Sequence, residues 1–99
     1  MFKDTLVLNL NKNVLKRFEP NLNGGTVFLF DMERETFWSG NISVDYLIRL
    51  INGKKRLGEI YEELFNIFED YTQEELINSY NSIIKSLIEK GFLEIINHA

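Results

Sequence analysis

The sequence predicts an α+β fold, with short strands gathered in its first forty residues and helices in the remainder. Three observations lead there. β-rich runs bounded by turn residues occupy the N-terminal part. An Asn23-Gly24-Gly25 cluster offers the positive-φ residues of a tight reversal. From residue 41 onward the apolar positions recur at spacings of three and four, interrupted by Asn52-Gly53 and closed by Gly91.

Residues 5–10 alternate loosely, 14–18 form a second short candidate, and 26–30 (Thr-Val-Phe-Leu-Phe) give the clearest strand. A polar turn over 31–34 leads to a further strand over 35–39, ended by Gly40 and Asn41. Connections this short pair strands antiparallel, so 14–18, 26–30 and 35–39 form a three-stranded meander. Asn41 or Ser43 caps a first helix carrying Val44, Leu47, Ile48 and Ile51 on one stripe. Leu57, Ile60, Tyr61, Leu64, Phe65 and Phe68 predict a second helix over about 57–69 with an acidic outer face. Thr72-Gln73-Glu74-Glu75 reads as a capping box, in which the hydroxyl and the carboxylate each accept from a free backbone amide, opening a third helix to Lys90. Residues 92–96 make a short closing strand or an extended tail. The third helix is apolar over an unusually wide arc. Leu76, Tyr80, Ile83 and Leu87 form one line, and Ile77, Ile84 and Ile88 with Asn81 form a second. A helix lying on one core needs only the first line. The second is either part of a broad core stripe or the wall of a groove that a partner fills.

The chain has 99 residues, a formal charge of -4 and 44% hydrophobic residues, which suits one domain spanning 1–99. It has no Cys, which excludes disulfides, zinc-thiolate and iron-sulfur centres and a thiol nucleophile. No signal peptide or apolar run of membrane-spanning length is visible, so the expectation is a cytoplasmic protein that does not enter a membrane. The lone histidine, His98, lies one residue from the end of the sequence and is a poor candidate for a base or ligand. Glu62-Glu63 and Glu74-Glu75 sit on helix faces that need charge for solubility, and Gly24-Gly25 lacks the strand-loop-helix setting and the lysine of a phosphate cradle. Catalytic residues, metal ligands and cofactors are therefore not expected.

Several short motifs occur in series over residues 36–93. Asn41 follows a strand. The helix with Leu47 and Ile48 runs into Asn52-Gly53. Leu57, Glu59-Ile60 and Leu64 follow, and Leu87-Ile88-Glu89-Lys90-Gly91-Phe92-Leu93 closes the run. In this order and spacing the sequence resembles the RiPP recognition element, the family of PqqD-like peptide chaperones. Gly40 and Arg56 depart from the pattern, standing where the family commonly has Leu and a capping Thr. The resemblance implies a winged-helix-like domain, a three-stranded antiparallel sheet followed by three α-helices, that performs no chemistry. Such domains act in natural product biosynthesis, binding the leader segment of a ribosomally made precursor peptide. They present it to a modifying enzyme such as a radical S-adenosylmethionine enzyme, a cyclase or a peptidase.

An extended leader would add a strand to the edge formed by Glu35, Thr36, Phe37, Trp38 and Ser39. Its alternate side chains would then enter a trough walled by Ile77, Asn81, Ile84 and Ile88, with Tyr80 at the floor and Lys85 at the rim. Phe37 and Trp38 point to opposite faces, and only one of them can look inward. Two rival readings use the same elements. A winged-helix DNA-binding regulator is opposed by the seven acids and no base between Glu59 and Glu75, so no nucleic-acid partner is expected. A dimerising interaction subunit would use the same strand edge and apolar helix line for a homodimer.

Overall fold

The computed structural model describes residues 2–97. Strand β1 (Leu8–Leu10) is followed by β2 (Val14–Glu19), β3 (Thr26–Asp31) and β4 (Thr36–Asn41). Helices α1 (Ile42–Leu50), α2 (Leu57–Ile67) and α3 (Gln73–Glu89) come next, and β5 (Leu93–Ile95) closes the order. The expected meander is present as an antiparallel sheet ordered β2-β3-β4. In its register Leu29 lies opposite Lys16 and Trp38, and Phe30 opposite Leu15 and Phe37. Alternation along β3 buries Val27, Leu29 and Asp31 against the helices and turns Phe28 and Phe30 outward.

The reversal between β2 and β3 takes positive φ at Asn23 (52°), Gly24 (77°) and Gly25 (118°), as the composition of that cluster requires. The turn between β3 and β4 differs from expectation in one detail. Glu35 has φ 55°, a left-handed conformation that belongs to the turn, so the strand begins at Thr36 and runs on to Asn41. Asp31, 2% exposed, shapes this turn by accepting from the backbone N–H of Glu33 and Arg34 at 3.0 and 3.1 Å.

The three helices start where the capping chemistry places them. Asn41 Oδ1 accepts from the N–H of Ser43 and Val44, and Thr72 Oγ1 accepts from the N–H of Glu75. At the α2 start Arg56 cannot accept. The remaining half of the box is kept by Glu59, whose carboxylate takes the Arg56 N–H at 3.0 Å. All three helices lay an apolar face on one core that includes Leu29, Leu47, Leu57, Leu64, Ile84 and Leu87.

A second sheet lies outside the three-stranded expectation. β1 pairs antiparallel with β5, so the two ends of the described chain meet, with Leu8 opposite Ile95 and Leu10 opposite Leu93. The Asn97 side chain fastens this closure, accepting from Val7 N–H at 2.8 Å and donating to Thr5 O at 3.2 Å. Both segments carry strand signals in the sequence, but a pairing across some ninety positions has no local signature. His98 lies outside the described residues.

Candidate functional site

Among the described residues no strand pairs with the outer side of β4, which leaves its backbone groups available to an added strand. Where β4 passes into α1, a recess of about 450 Å³ opens toward α3. Ile42 and Ser43 line one side of it, Leu76, Ser79, Tyr80 and Ile83 of α3 the other, and Phe68 and Tyr71 close its end. Ile42 and Tyr71 are exposed, and Ile83 is half-buried. Asn23, Asn41 and Glu75 also line it, so the recess is open, sets polar groups beside its apolar ones, and is continuous with the C-terminal end of β4.

Each end of β4 is held by a polar brace. Tyr80 donates its hydroxyl to the Ser43 carbonyl at 2.8 Å, fixing α3 against the start of α1. Burial pushes the Tyr80 phenol up to about 12, so the hydroxyl remains a donor at any physiological pH. At the opposite end of β4, Arg34 donates to the carbonyl of Lys90 at 3.3 Å. A guanidinium there also complements the negative end of the helix. Gly91 is needed here for its positive φ of 82° at the helix end, and its missing side chain leaves room for the Arg34 head group.

The expected wall residues of α3 divide between two sides of the helix. Ile84 is fully buried in the core, and Tyr80 is 2% exposed beneath the recess. Asn81 accepts from the Tyr61 hydroxyl of α2 at 2.7 Å, so the line of Ile77, Asn81 and Ile88 runs along the flank turned to α2. Lys85, exposed, lies one step further round on that flank. The flank turned to the recess carries Ser79 and Ile83 instead. The wide apolar arc of α3 thus has a core centre and two flanks, one covering α2 and one facing the β4 side. The sequence shows the width of such an arc and not its sense of rotation, which depends on where α2 packs. Tyr61, the donor to Asn81, is held un-ionised by burial and then by the nearby charge of Asp4.

On β4, Thr36, Phe37 and Ser39 are exposed and Glu35 lies in the preceding turn. The pleat resolves the two aromatic residues. Trp38 is the inward one, packed against the core, and its ring lies over Gly40, where a Cβ would come within 2.7 Å of Trp38 Cη2 and 3.0 Å of Val44 Cγ2. The missing Leu at position 40 is thus matched by an indole occupying the same space. Phe37 faces outward, 63% exposed, and stacks on Phe28 at 5.7 Å.

Two features were not singled out from sequence. The recess draws Phe68 and Tyr71 from the α2–α3 connection, which reads in sequence only as a helix end. Asp45, 2% exposed, sits within the apolar stripe of α1 and pairs with Lys16 of β2 at 3.1 Å and Arg49 at 2.6 Å. An acid beside Val44 in that stripe is the signal that could have found it. Elsewhere, Lys55 pairs with Glu63 at 2.6 Å and Arg56 approaches Glu59 at 3.8 Å, so two of the three bases in the 54–56 cluster face acids of the same chain. No group of three or more His, Cys, Asp or Glu able to hold a metal ion occurs among the described residues. No helix among them is long and apolar enough to cross a membrane.

No family model and no curated protein matches the sequence. The fold, a three-stranded antiparallel meander with a free outer strand followed by three helices, is nonetheless a known one of the α+β, winged-helix-like class. It is shared with the solved structure of TbiB1 in complex with the TbiA(beta) leader peptide, at a TM-score of 0.69 and 17% identity. The likeness covers 87% of this chain and 94% of that one.

Proposed function

We propose that this chain is a single RiPP recognition element-like domain over residues 1–99 that binds the leader segment of a ribosomally made precursor peptide. It performs no chemistry itself and presents the leader to a modifying enzyme. The observation that carries this reading is the unpaired edge of β4 beside a partly apolar recess against α3. It is supported by a fold shared with a protein solved with a leader peptide bound. The leader adds as a strand along Thr36, Phe37, Trp38 and Ser39, gaining register from backbone hydrogen bonds and selectivity from alternate side chains. Tyr80 and Ile83, with Ser79 and Ile42, receive the inward ones. Ile84 supports this surface from beneath, and Ile77, Asn81 and Ile88 hold α3 on α2. No cofactor enters this reading. The modifying enzyme is of the radical S-adenosylmethionine, cyclase or peptidase kind, and the setting is cytoplasmic. The pairing of Lys55 and Arg56 with acids favours a peptide over nucleic acid as the partner.

The test is a titration of a fluorescent synthetic leader, taken from a precursor gene beside this one, followed by anisotropy. Ile83→Asp places a charge in the recess at a half-buried position on the margin of the core. With its fold checked by circular dichroism, it is expected to weaken binding at least about tenfold, a change of about 1.4 kcal/mol. Ile84→Asp would be the wrong probe, since Ile84 is 0% exposed and the variant would unfold. Absence of saturable binding by every candidate leader up to about 100 µM would overturn the reading.

A further inference from the structure

The face of the meander turned away from the helices carries a pattern that peptide addition at the β4 edge leaves unused. The strand register sets three cross-strand rows there. Leu15, Phe30 and Phe37 form the first, Arg17, Phe28 and Ser39 the second, and Glu19, Thr26 and Asn41 the third. The first row is a continuous apolar band, with its members 55%, 39% and 63% exposed. Phe28 extends it by stacking on Phe37. Bands of this kind on a small chain mark contact surfaces. The charges on this face, Arg17 and Glu19, pair with each other, so it is electrically neutral in a chain of net charge -4. The uncompensated acids lie mainly between Glu59 and Glu75, on the helical side.

We propose that this face is a self-association surface whose occupant is a second copy of the same chain, packed sheet on sheet about a two-fold axis running along β3. Such an axis places β2 of one copy over β4 of the other. Leu15 then meets the Phe37 of the second copy and Arg17 its Ser39, with Phe28 and Phe30 stacked across the axis. Glu19 stays at the rim, because the Asn41 side chain is turned to the start of α1. Small apolar groups face large ones, the Arg17 charge faces a neutral hydrogen-bonding group, and no like charges meet. This is the self-complementarity an isologous contact demands. Two sheets at about 10 Å and within about 30° of parallel accommodate it. The neutral face is also where two acidic chains approach at least electrostatic cost. Three strands of six residues present a footprint of about 300 Å² at about 4.8 Å between strands and about 3.4 Å per residue. That is well short of the roughly 800 Å² per partner of a standard stable interface, so the dimer is weak and reversible. The proposal does not rest on the peptide reading, because it concerns the sheet face and the free chain.

Sedimentation velocity of the full chain without peptide, from about 5 to about 500 µM, reads it directly; the range spans the dissociation constants expected of so small a contact. The expected result is a concentration-dependent shift from monomer to dimer. Leu15→Glu and Phe37→Arg alone should each raise the dissociation constant at least tenfold. The combined variant should dissociate less readily than the two single losses added together predict, because each new Glu then faces a new Arg across the axis. Both sites are exposed, and circular dichroism checks that every variant folds. A monomer throughout the range overturns the proposal. So does a dimer indifferent to both single substitutions, which would move the contact elsewhere. Strictly additive losses, with no favourable coupling in the combined variant, would overturn the axis along β3.

Discussion

Asp45 shows how a single side chain can tie two layers together. Its carboxylate is 3% exposed and bridges Lys16 of β2 and Arg49 of its own helix, while Arg49 also lies over the Phe18 ring at 5.2 Å. Asp45 Oδ1 approaches the Lys16 ammonium without hydrogen-bond alignment, so this buried oxygen depends on charge alone. Removing the charge leaves a buried amide facing two cations, and these cations are partly exposed and can return to water. Asp45→Asn is therefore expected to cost about 2 kcal/mol, less than a fully enclosed pair, and urea unfolding measures it. Tyr80 supplies a pH signature. A free tyrosine ionises near 10.0 and the buried one holds its proton to about 12, so the folded state is favoured below pH 10. That contribution is lost as the pH climbs from about 10 through about 12. Tyr80→Phe should reduce the alkaline slope, leaving the part that the buried Tyr61 contributes, at a cost near 1 kcal/mol for the bond to Ser43, read from thermal unfolding at several pH values. The acid in an apolar stripe marks Asp45 in the sequence, but its partners, like the burial of the Tyr80 phenol, depend on what packs above it.

At the scale of elements, strands and helices were readable wherever a local signal decides them. The Asn23-Gly24-Gly25 reversal, the Asn41 cap and the Thr72-Glu75 box act within a few residues, and the structure has each in place. The face of α3 turned to the recess was not readable. Leu76, Tyr80, Ile83 and Leu87 against Ile77, Ile84 and Ile88 differ by less than a third of a turn, and only the packing of α2 assigns one flank to each neighbour. The Trp38–Gly40 pair is similar. The absent Leu looked like a lost contact in sequence, yet the indole ring fills that place. Gly40→Leu is accordingly expected to destabilise by about 1–3 kcal/mol through overpacking. Trp38→Ala in the same chain should relieve part of that loss, giving a favourable coupling in a double-mutant cycle measured by denaturant unfolding.

Over the whole molecule, the closing feature is the β1–β5 ladder, which joins the ends of the described chain and covers Leu8 and Leu93, each no more than 2% exposed. Contacts of such sequence separation form late, after the loop entropy of the entire chain has been overcome. Leu93→Asp buries a charge in this ladder and should cost at least about 3 kcal/mol. Hydrogen exchange should show protection lost first at β1, β5 and the start of α2, where Leu57 N–H is held by Leu6 O at 2.8 Å. Uniform loss across β2, β3 and β4 would show instead that the meander has no stability of its own.

The braces at the two extremities of β4, Arg34 on the Lys90 carbonyl and Tyr80 on that of Ser43, have a consequence for discrimination. A cleft pinned at both ends cannot gape to suit its guest. On the proposed reading, girth more than composition would then be the filter for the leader's side chains, slim aliphatic ones being favoured over bulky ones. Six residues of strand offer only about three inward-pointing positions, so on that same reading a short stretch of leader carries the selectivity.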